Sequence, residues 1–253
     1  MNSIDKNYIE ENLKGYPYII DVRETVTSTN SIMKNDAGKG KDEFSVLIAS
    51  SQTEGRGRMG RSFFSPDGTG LYMSVLYRIV KGENPLLITT NAAVATAKAL
   101  EKISGKTAGI KWVNDIYLDG RKVCGILAES SVGENGFVVL GIGVNAVTPN
   151  GGFPEDIKMR AGSVSEKNEE HLREKIAVEI LKNLHSRFLD EETLEEYRRR
   201  SVVTGKEIDI IKNGTTERAV ALAINDDYSL KVKKADGSIE DIFSGEVSIT
   251  AYM

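Results

Sequence analysis

The segment at residues 53–70, TEGRGRMGRSFFSPDGTG, constrains the fold more than any other feature of the sequence. It contains three arginines, five glycines and one proline. Glycine lets the backbone adopt positive φ and approach a ligand closely, but it raises the entropy that ordering must overcome. The apolar runs on either side, residues 44–52 and 70–79, predict buried strands. The sequence therefore predicts an irregular loop between two core strands, which we call the arginine loop.

The three charges of the arginine loop, Arg56, Arg58 and Arg61, predict an anionic ligand, because the whole chain has a formal net charge of −4. Residues 55–60 match the pattern G-x-G-x-x-G. Its dinucleotide-binding form opens a helix, which the proline and glycines of residues 62–70 prevent. Its protein-kinase form needs further motifs that the sequence lacks. A solvated loop and an RNA contact are the alternatives, and a single motif in an acidic chain speaks against nucleic acid.

The scarcity of histidine and cysteine limits the chemistry that the chain can perform. The chain contains two histidines and one cysteine, Cys124, so we expect no zinc cluster, no Ser-His-Asp triad and no internal disulfide. No apolar run reaches the roughly 18 residues of a membrane span, and the first residues lack the apolar stretch of a signal peptide. We therefore expect a soluble cytoplasmic protein without a membrane partner.

The sequence before residue 200 mixes strand and helix patterns. A strand is predicted at residues 18–26, and Ser28 or Thr29 can cap a helix that ends near Gly38. The further predicted elements are a helix at residues 84–105 with Asn84 as its cap, Pro85 at its first position and Gly105 past its end, a strand at 136–147 and two helices within 169–200.

From Gly205 onward the pattern changes to short strands, which favours a small β-barrel. The dipeptides Asn213-Gly214 and Asp236-Gly237 join these strands and are typical of tight turns. A chain of 253 residues is long enough for one large domain and a small second one. We therefore place a domain boundary near residue 200.

Asp119-Gly120 lies between two apolar segments and predicts a β-hairpin. A two-residue turn there places Tyr117 opposite Lys122 and Asp115 opposite Cys124. Strict alternation then puts a mixed set of side chains on one face: Lys111, Asp115, Tyr117, Lys122 and Cys124. Either this face carries an exposed cross-strand ion pair or it belongs to a site. Asn114 points to the other face, so its participation in such a site would require a bulge.

Five segments together resemble the biotin protein ligases, in the same order and at comparable intervals. They are STN (28–30), Q-TEGRGRMGR (52–61), KWVNDIYLDGRKVCGIL (111–127), GIGVN (141–145) and GEVSI (245–249). The resemblance implies an α+β fold. It comprises a catalytic domain at residues 1–200, a mixed β-sheet packed with helices as in class II aminoacyl-tRNA synthetases, and a small C-terminal SH3-like β-barrel at residues 201–253. It also implies the ligase-only class, which has no N-terminal DNA-binding domain.

The resemblance implies a reaction in two steps. The carboxylate of biotin attacks the α-phosphate of ATP to form biotinyl-5′-AMP and pyrophosphate, and Mg²⁺ arrives with ATP. A lysine of a biotin carboxyl carrier protein or domain then takes the biotinyl group and releases AMP. The implied partner is therefore a biotin-dependent carboxylase or decarboxylase and not a nucleic acid. Formation of a homodimer is a further expectation.

The resemblance also assigns residues of this chain to the site. Arg58 and Lys122 match catalytic positions, and Asp115 matches the metal position. The residues that match biotin-binding positions are Ser28, Thr29, Asn30, Gln52, Arg56, Gly57, Arg58, Lys122 and Gly125. The residues that match ATP-binding positions are Arg58, Arg61, Lys111, Asn114, Asp115 and Asn145. The aromatic residue that follows the loop in relatives corresponds to Phe63 or Phe64.

Two other functions remain open at this point. A lipoate-protein ligase would share the fold and the adenylate chemistry. The polar residues Ser28, Thr29 and Gln52 favour biotin over lipoate, because an aliphatic dithiolane would leave them unpaired. A non-catalytic protein that binds biotin or a nucleotide is the second alternative. Such a protein would not need Arg58, Lys122 and Asp115 together.

Overall fold

The computed structural model describes residues 3–78, 85–131, 136–185, 191–212 and 214–249. The α-helices of these residues are α1 (Lys6–Asn12), α2 (Thr29–Gly38), α3 (Pro85–Ser104), α4 (Leu172–Leu184) and α5 (Glu191–Arg200), and Arg58–Gly60 form a short 3-10 helix. The strands are β1 (Ile19–Val26), β2 (Ser45–Gln52), β3 (Gly70–Arg78), β4 (Ala108–Lys111), β5 (Asp115–Leu118), β6 (Arg121–Ser131), β7 (Phe137–Asn145), β8 (Glu207–Lys212), β9 (Thr215–Ile224), β10 (Leu230–Lys234), β11 (Ile239–Ile242) and β12 (Glu246–Ile249). The fold is α+β, as the sequence predicted.

The larger sheet is mixed, with strand order β1-β2-β3-β7-β6-β5-β4. β1 and β2 are parallel, and the other neighbours are antiparallel. Alternate residues of β3 point to opposite faces, so Val75 packs in the core with α3 and α4 while Leu76 packs with Met33 of α2. The two faces are therefore covered by different helices, and the site lies on the face of α2.

The local signals at the helix ends agree with the structure. The side chain of Ser28 accepts a hydrogen bond from the Ser31 amide and caps α2. α3 begins at Pro85 and is followed by Gly105 at a φ of 69°, while Asn84 lies outside the described residues. The alanines of α3 pack closely on the sheet, because Ala92, Ala93, Ala97 and Ala99 are fully buried.

The β5–β6 hairpin confirms one predicted pair and corrects the other. Tyr117 pairs with Lys122, but Asp115 pairs with Gly125 and not with Cys124. The register shifts by one residue at Val123, which forms a β-bulge. The bulge turns Cys124 into the core, where burial raises the pKa of its thiol, and keeps Asp115 on the face of Lys122.

Asn114 reaches the site through a turn, so the predicted bulge at Asn114 is wrong. The sequence pattern suggested one continuous strand, whereas β4 and β5 are two antiparallel strands in which Lys111 pairs with Asp115. The three residues between them, 112–114, form the connecting turn. Because Asn114 lies in a turn, strict alternation does not apply to its side chain, which contacts the carboxylate of Asp115 over 3.3 Å.

The second sheet is antiparallel, with strand order β11-β10-β9-β8-β12, and covers residues 207–249. It agrees with the short strands predicted after Gly205, although Asn213 of one predicted turn lies outside the described residues. The indole of Trp112 donates to the Tyr228 carbonyl over 2.9 Å, which ties this sheet to the β4–β5 turn. The domain boundary near residue 200 stays a prediction.

Of the helices in the described part of the chain, none has both the length and the apolar character that a membrane crossing requires.

We predict that Ile116→Ala lowers the free energy of unfolding by about 2–5 kcal/mol, because the fully buried side chain leaves a cavity in the sheet. Ile239→Ala is the control, since the Ile239 side chain is 63% exposed and its loss should change stability by less than about 0.5 kcal/mol. Urea denaturation measures both. Equal effects of the two substitutions would contradict the assignment of Ile116 to the core.

Candidate active site

A cavity opens on the α2 face of the larger sheet, beneath the arginine loop. It lies between the first turn of α2, the β4–β5 turn, strands β6 and β7 and the start of β12. The predicted site residues that line it are Ser28, Thr29, Asn30, Gln52, Arg56, Gly57, Arg58, Arg61, Lys111, Asn114, Asp115, Lys122 and Gly125. Segments distant in the sequence thus meet at one place.

Asn145 is the predicted site residue that does not line this cavity. It ends β7, and its carboxamide nitrogen donates to the Gly162 carbonyl over 3.0 Å. The amide of Gly162 in turn donates to the Lys122 carbonyl over 2.8 Å. The contacts of Asn145 therefore support the backbone of Lys122 from behind.

The tip of the arginine loop forms a small hydrogen-bonded hairpin around a single antiparallel bridge between Arg56 and Ser62. The amide of Gly57 donates to the Arg61 carbonyl over 2.7 Å, and the amide of Phe63 donates to the Gly55 carbonyl over 2.8 Å. A Cβ on Gly55 would lie 2.3 Å from the Phe63 carbonyl oxygen, so only glycine fits there. The expectation of an irregular loop therefore holds for most of residues 53–69, and the backbone pairing is confined to the tip of the loop.

Each arginine of the loop is bound to a different part of the protein. Arg56 lies 3.3 Å from a carboxylate oxygen of Glu129 on β6, and Arg61 lies 2.5 Å from Glu246 on β12. Arg58 donates instead to two neutral oxygens, Asn114 Oδ1 over 2.8 Å and the Gly245 carbonyl over 3.0 Å.

Within the described segments, no carboxylate bonds directly to Arg58, so its positive charge is not neutralised by a direct partner there. Burial lowers the pKa of its guanidinium, an effect that the charges of Asp115 and Glu246 oppose from a distance. A desolvated cation bonded to neutral oxygens attracts an anion strongly, because water screens it weakly. Among the loop arginines, Arg58 is therefore best placed to bind an anionic ligand.

Two lysines share the carboxylate of Asp115. Lys122 Nζ lies 2.7 Å from one carboxylate oxygen, and Lys111 Nζ lies 3.8 Å from the other. Burial lowers the pKa of Lys111, and the neighbouring charge of Lys122 lowers it further. Together with Arg58, three cations face one carboxylate at this end of the cavity, which favours a ligand with more than one negative charge.

Gln52 joins the helix start to the far end of the arginine loop. Its Oε1 accepts from the amide of Thr29 over 2.9 Å, and its Nε2 donates to Ser65 Oγ over 2.9 Å. Ser65 Oγ donates to the Phe63 carbonyl over 2.9 Å. Thr29 and Gln52 have uncharged side chains and give this end of the cavity hydrogen-bonding groups that suit a polar ring.

Phe63, and not Phe64, lines the cavity. Its ring packs on the glycines of β6 and β7, since a Cβ on Gly143 would lie 2.6 Å from it and a Cβ on Gly125 would lie 3.2 Å away. Phe64 is 38% exposed. The glycines therefore form a flat floor that admits an aromatic ring. Of the two phenylalanines that the sequence left open, Phe63 is the one in the cavity lining.

Sequence reasoning missed Ser74, Glu129 and Glu246. Ser74 is a fully buried hydroxyl within the apolar run of β3, and a lone polar residue in such a run is a signal that could have been found. Glu246 lies in the GEVSI segment that carried the resemblance, but no role was assigned to it. Glu129 lies near the end of β6, and no local pattern marked it as a site residue.

Asp115 is the carboxylate that could bind Mg²⁺ in the cavity. Its oxygens already contact Lys122 and Lys111, and Glu246, a second carboxylate in the lining, pairs with Arg61. Within the described ranges, no group of three His, Cys, Asp or Glu side chains is arranged to hold a metal ion. The donors therefore suit an ion that takes most of its ligands from phosphate and water.

The fold and the site together define an α+β domain whose cavity has a floor of glycines and a lining of arginine and lysine side chains. The chain matches the model of the biotin/lipoate A/B protein ligase family over residues 22–145. It is 30% identical to the biotin–[acetyl-CoA-carboxylase] ligase of Mycobacterium tuberculosis, over 82% of this chain and 80% of that protein. The chain belongs to the biotin/lipoate A/B protein ligase family, and the resemblance seen in the sequence is confirmed.

Two further similarities concern length and fold. The chain is 34% identical to the bifunctional ligase/repressor BirA of Bacillus spizizenii over 66% of this chain and 53% of that protein, so it spans about half the length of this relative. It superposes on a biotin protein ligase from Aquifex aeolicus, in complex with biotin and ATP, with a TM-score of 0.76 and 25% identity over 90% of this chain and 97% of that one.

We predict that Gly55→Ala opens the arginine loop, because the added Cβ would clash with the Phe63 carbonyl and with Ser65 Oγ. Trypsin should then cleave after Arg58 and Arg61 several times faster than in the wild type. Gly38→Ala is the matched control, since a Cβ there meets nothing within 4 Å. Unchanged cleavage of the Gly55 variant would mean that the hairpin does not depend on this glycine.

Proposed function

We propose that this protein is a biotin protein ligase. It forms biotinyl-5′-AMP from biotin and ATP and transfers the biotinyl group to a lysine of a biotin carboxyl carrier domain. The observation that carries the proposal is the convergence of Arg58, Lys111 and Lys122 at one end of a cavity whose other end presents Thr29 and Gln52. The cations suit two anionic reactants, and the polar end suits a ureido ring.

The first step joins two anions, and repulsion between them is the main obstacle. The biotin carboxylate attacks the α-phosphorus of ATP, an oxygen–phosphorus bond forms, and pyrophosphate leaves. Negative charge spreads over the phosphoryl oxygens in the transition state, and fixed donors stabilise it. Arg58 and Lys122 are the catalytic residues of this proposal, because they reach the same region from the loop and from the β5–β6 hairpin.

The nucleotide lies at the cationic end of the cavity in this proposal. Arg61 and Lys111 bind phosphate oxygens, and Asn114 holds Arg58 in place. Asp115 orients the two lysines and would provide one oxygen ligand to Mg²⁺, which neutralises phosphate charge when it is bound with ATP. Asn145 acts through the backbone of Lys122. Phe63 lies between the glycine floor and the loop, where a flat ring can contact the ligand.

In the second step the lysine amine attacks the carbonyl carbon of the mixed anhydride. The new amide bond forms, the bond between the carbonyl carbon and the phosphate oxygen breaks, and AMP leaves. The mixed anhydride is sensitive to water, so a closed arginine loop protects it until the acceptor arrives. The hydrogen bonds of Arg58 and Arg61 to Gly245 and Glu246 support such a closed loop.

The similar proteins support the substrates and the partner. The similar Aquifex structure contains biotin and ATP, and the Mycobacterium relative is named for acetyl-CoA carboxylase. We therefore propose the carrier domain of a biotin-dependent carboxylase as the acceptor. A homodimer, a cytoplasmic location and the absence of a nucleic-acid partner stay predictions.

Lipoate is the competing substrate, because the family includes lipoate ligases. Thr29 and Gln52 favour biotin, since a dithiolane ring could not pair with them. We predict that biotin stimulates the exchange of labelled pyrophosphate into ATP and that lipoate does not. Exchange with lipoate alone would make the protein a lipoate ligase. Biotin binding without exchange would make it a non-catalytic binder.

We predict that Lys122→Ala lowers the rate of biotin-dependent pyrophosphate exchange by about 10²–10³ with little change in thermal stability. The fold should tolerate the loss, because Asp115 keeps its contact with Lys111. Lys102→Ala is the control, since Lys102 forms an exposed pair with Glu179 outside the cavity. A Lys122 variant with normal exchange would remove Lys122 from the mechanism.

A further inference from the structure

Glu129 holds three side chains together beside the cavity without lining it. Its carboxylate on β6 accepts from Lys34 over 2.8 Å and from the Asn30 carboxamide nitrogen over 3.1 Å, and it lies 3.3 Å from Arg56. The side chain is only 15% exposed. Burial alone would raise its pKa, but the hydrogen bonds from Lys34 and Asn30 outweigh burial and lower the pKa. Glu129 is therefore an ionised, acceptor-only group at neutral pH.

The ionised carboxylate decides which way the carboxamide of Asn30 points. Asn30 Nδ2 donates to Glu129 and also to the Leu127 carbonyl over 3.2 Å, and both partners can only accept. The carboxamide oxygen must then point the opposite way, where it lies 2.6 Å from Ser74 Oγ. Gly141 makes this orientation possible, since a Cβ there would lie 2.2 Å from Asn30 Oδ1.

The orientation of Asn30 determines what Thr29 can offer to a ligand. Ser74 Oγ lies 2.6 Å from Asn30 Oδ1 and 2.8 Å from Thr29 Oγ1, and it carries a single proton. The carboxamide oxygen takes this proton at the shorter distance because it cannot donate. Thr29 Oγ1 then gives its own proton to Ser74 Oγ over 2.8 Å, since two hydroxyl oxygens this close share a proton, and Gln52 Oε1 lies farther away, at 3.2 Å. The lone pairs of Thr29 therefore remain available to accept an N–H group.

Glu129 also ties the arginine loop to the sheet. Arg56 reaches Glu129 on β6 and Ser31 Oγ on α2, which lies 3.3 Å away. The same carboxylate thus fixes a residue of the helix start and a residue of the loop. Loss of its charge would free Arg56 and leave the loop held by the contacts of Arg58 and Arg61, so the loop should open more often.

We propose that Glu129 is a positioning residue for biotin recognition, which keeps Thr29 Oγ1 an acceptor for a ureido N–H and holds Arg56 of the arginine loop. The part that concerns biotin rests on the proposed function. The part that concerns the loop does not, since it describes the protein without a ligand.

Two variants separate the hydrogen bond from the charge. Glu129→Leu removes both, whereas Glu129→Gln keeps an acceptor oxygen for Asn30 and removes the charge. The matched control is Glu179→Leu, because Glu179 on α4 is a carboxylate of similar exposure, 17%, that pairs with Lys102 on α3 and does not line the cavity. All three proteins retain Arg58 and Lys122, so the chemical step keeps its catalytic residues.

Calorimetric titration with biotin, in the absence of ATP, tests recognition. We expect the Kd for biotin to rise about tenfold or more in Glu129→Leu and much less in Glu129→Gln and in Glu179→Leu. In pyrophosphate exchange the KM for biotin should rise in Glu129→Leu with kcat nearly unchanged. Equal Kd values for the Glu129→Leu and Glu179→Leu proteins would overturn the recognition part. A wild-type chain that binds no biotin overturns it together with the proposed function.

Trypsin cleavage of the ligand-free protein tests the loop part. Both Glu129 variants should be cleaved after Arg58 several times faster than the wild type and the Glu179 variant. In an Arg56→Ala background, Glu129→Gln should not raise the cleavage rate further, because the contact between Arg56 and Glu129, the tether of the loop, is already lost. If Glu129→Leu does not fold, Glu129→Gln alone tests the tether. Cleavage at the wild-type rate, or additive effects of the two substitutions, would overturn the tether.

Discussion

The carboxylate of Asp115 is the interaction on which the rest of the site depends. It lies between the ammonium groups of Lys122 and Lys111, which would otherwise repel each other. The β4–β5 turn and the bulge at Val123 place these three residues on one face. With Arg58 added from the loop, the cavity retains a positive charge that an anionic ligand can neutralise.

The arginine loop is held over the cavity by contacts that each of its arginines makes with a different element. Glu129 binds Arg56, Asn114 and the Gly245 carbonyl bind Arg58, and Glu246 binds Arg61. The second sheet thereby takes part in forming the cavity, and Trp112 joins it to the β4–β5 turn as well. The loop, the larger sheet and the C-terminal sheet form one connected site.

Local patterns predicted the elements better than the contacts between them. The hairpin at Asp119-Gly120 and its pair Tyr117–Lys122 follow from turn chemistry, which acts over a few residues. The one-residue register shift beyond Ile116 does not follow from turn chemistry. It is a β-bulge at which Val123 and Cys124 are both buried in the core, and burial depends on the surrounding packing. The same limit applies to Asn114, whose position depends on a turn between two strands that the pattern merged into one.

The sequence by itself determined the chemistry of this protein, because the arginine loop, the K-W-V-N-D segment and the shortage of histidine and cysteine restrict it to cations, carboxylates and amides. Only the tertiary structure decided how these groups are arranged. It selected Phe63 over Phe64, moved Asn145 behind Lys122, and brought Ser74, Glu129 and Glu246 into contact with the site. Those contacts join residues far apart in the chain, and only packing sets such distances.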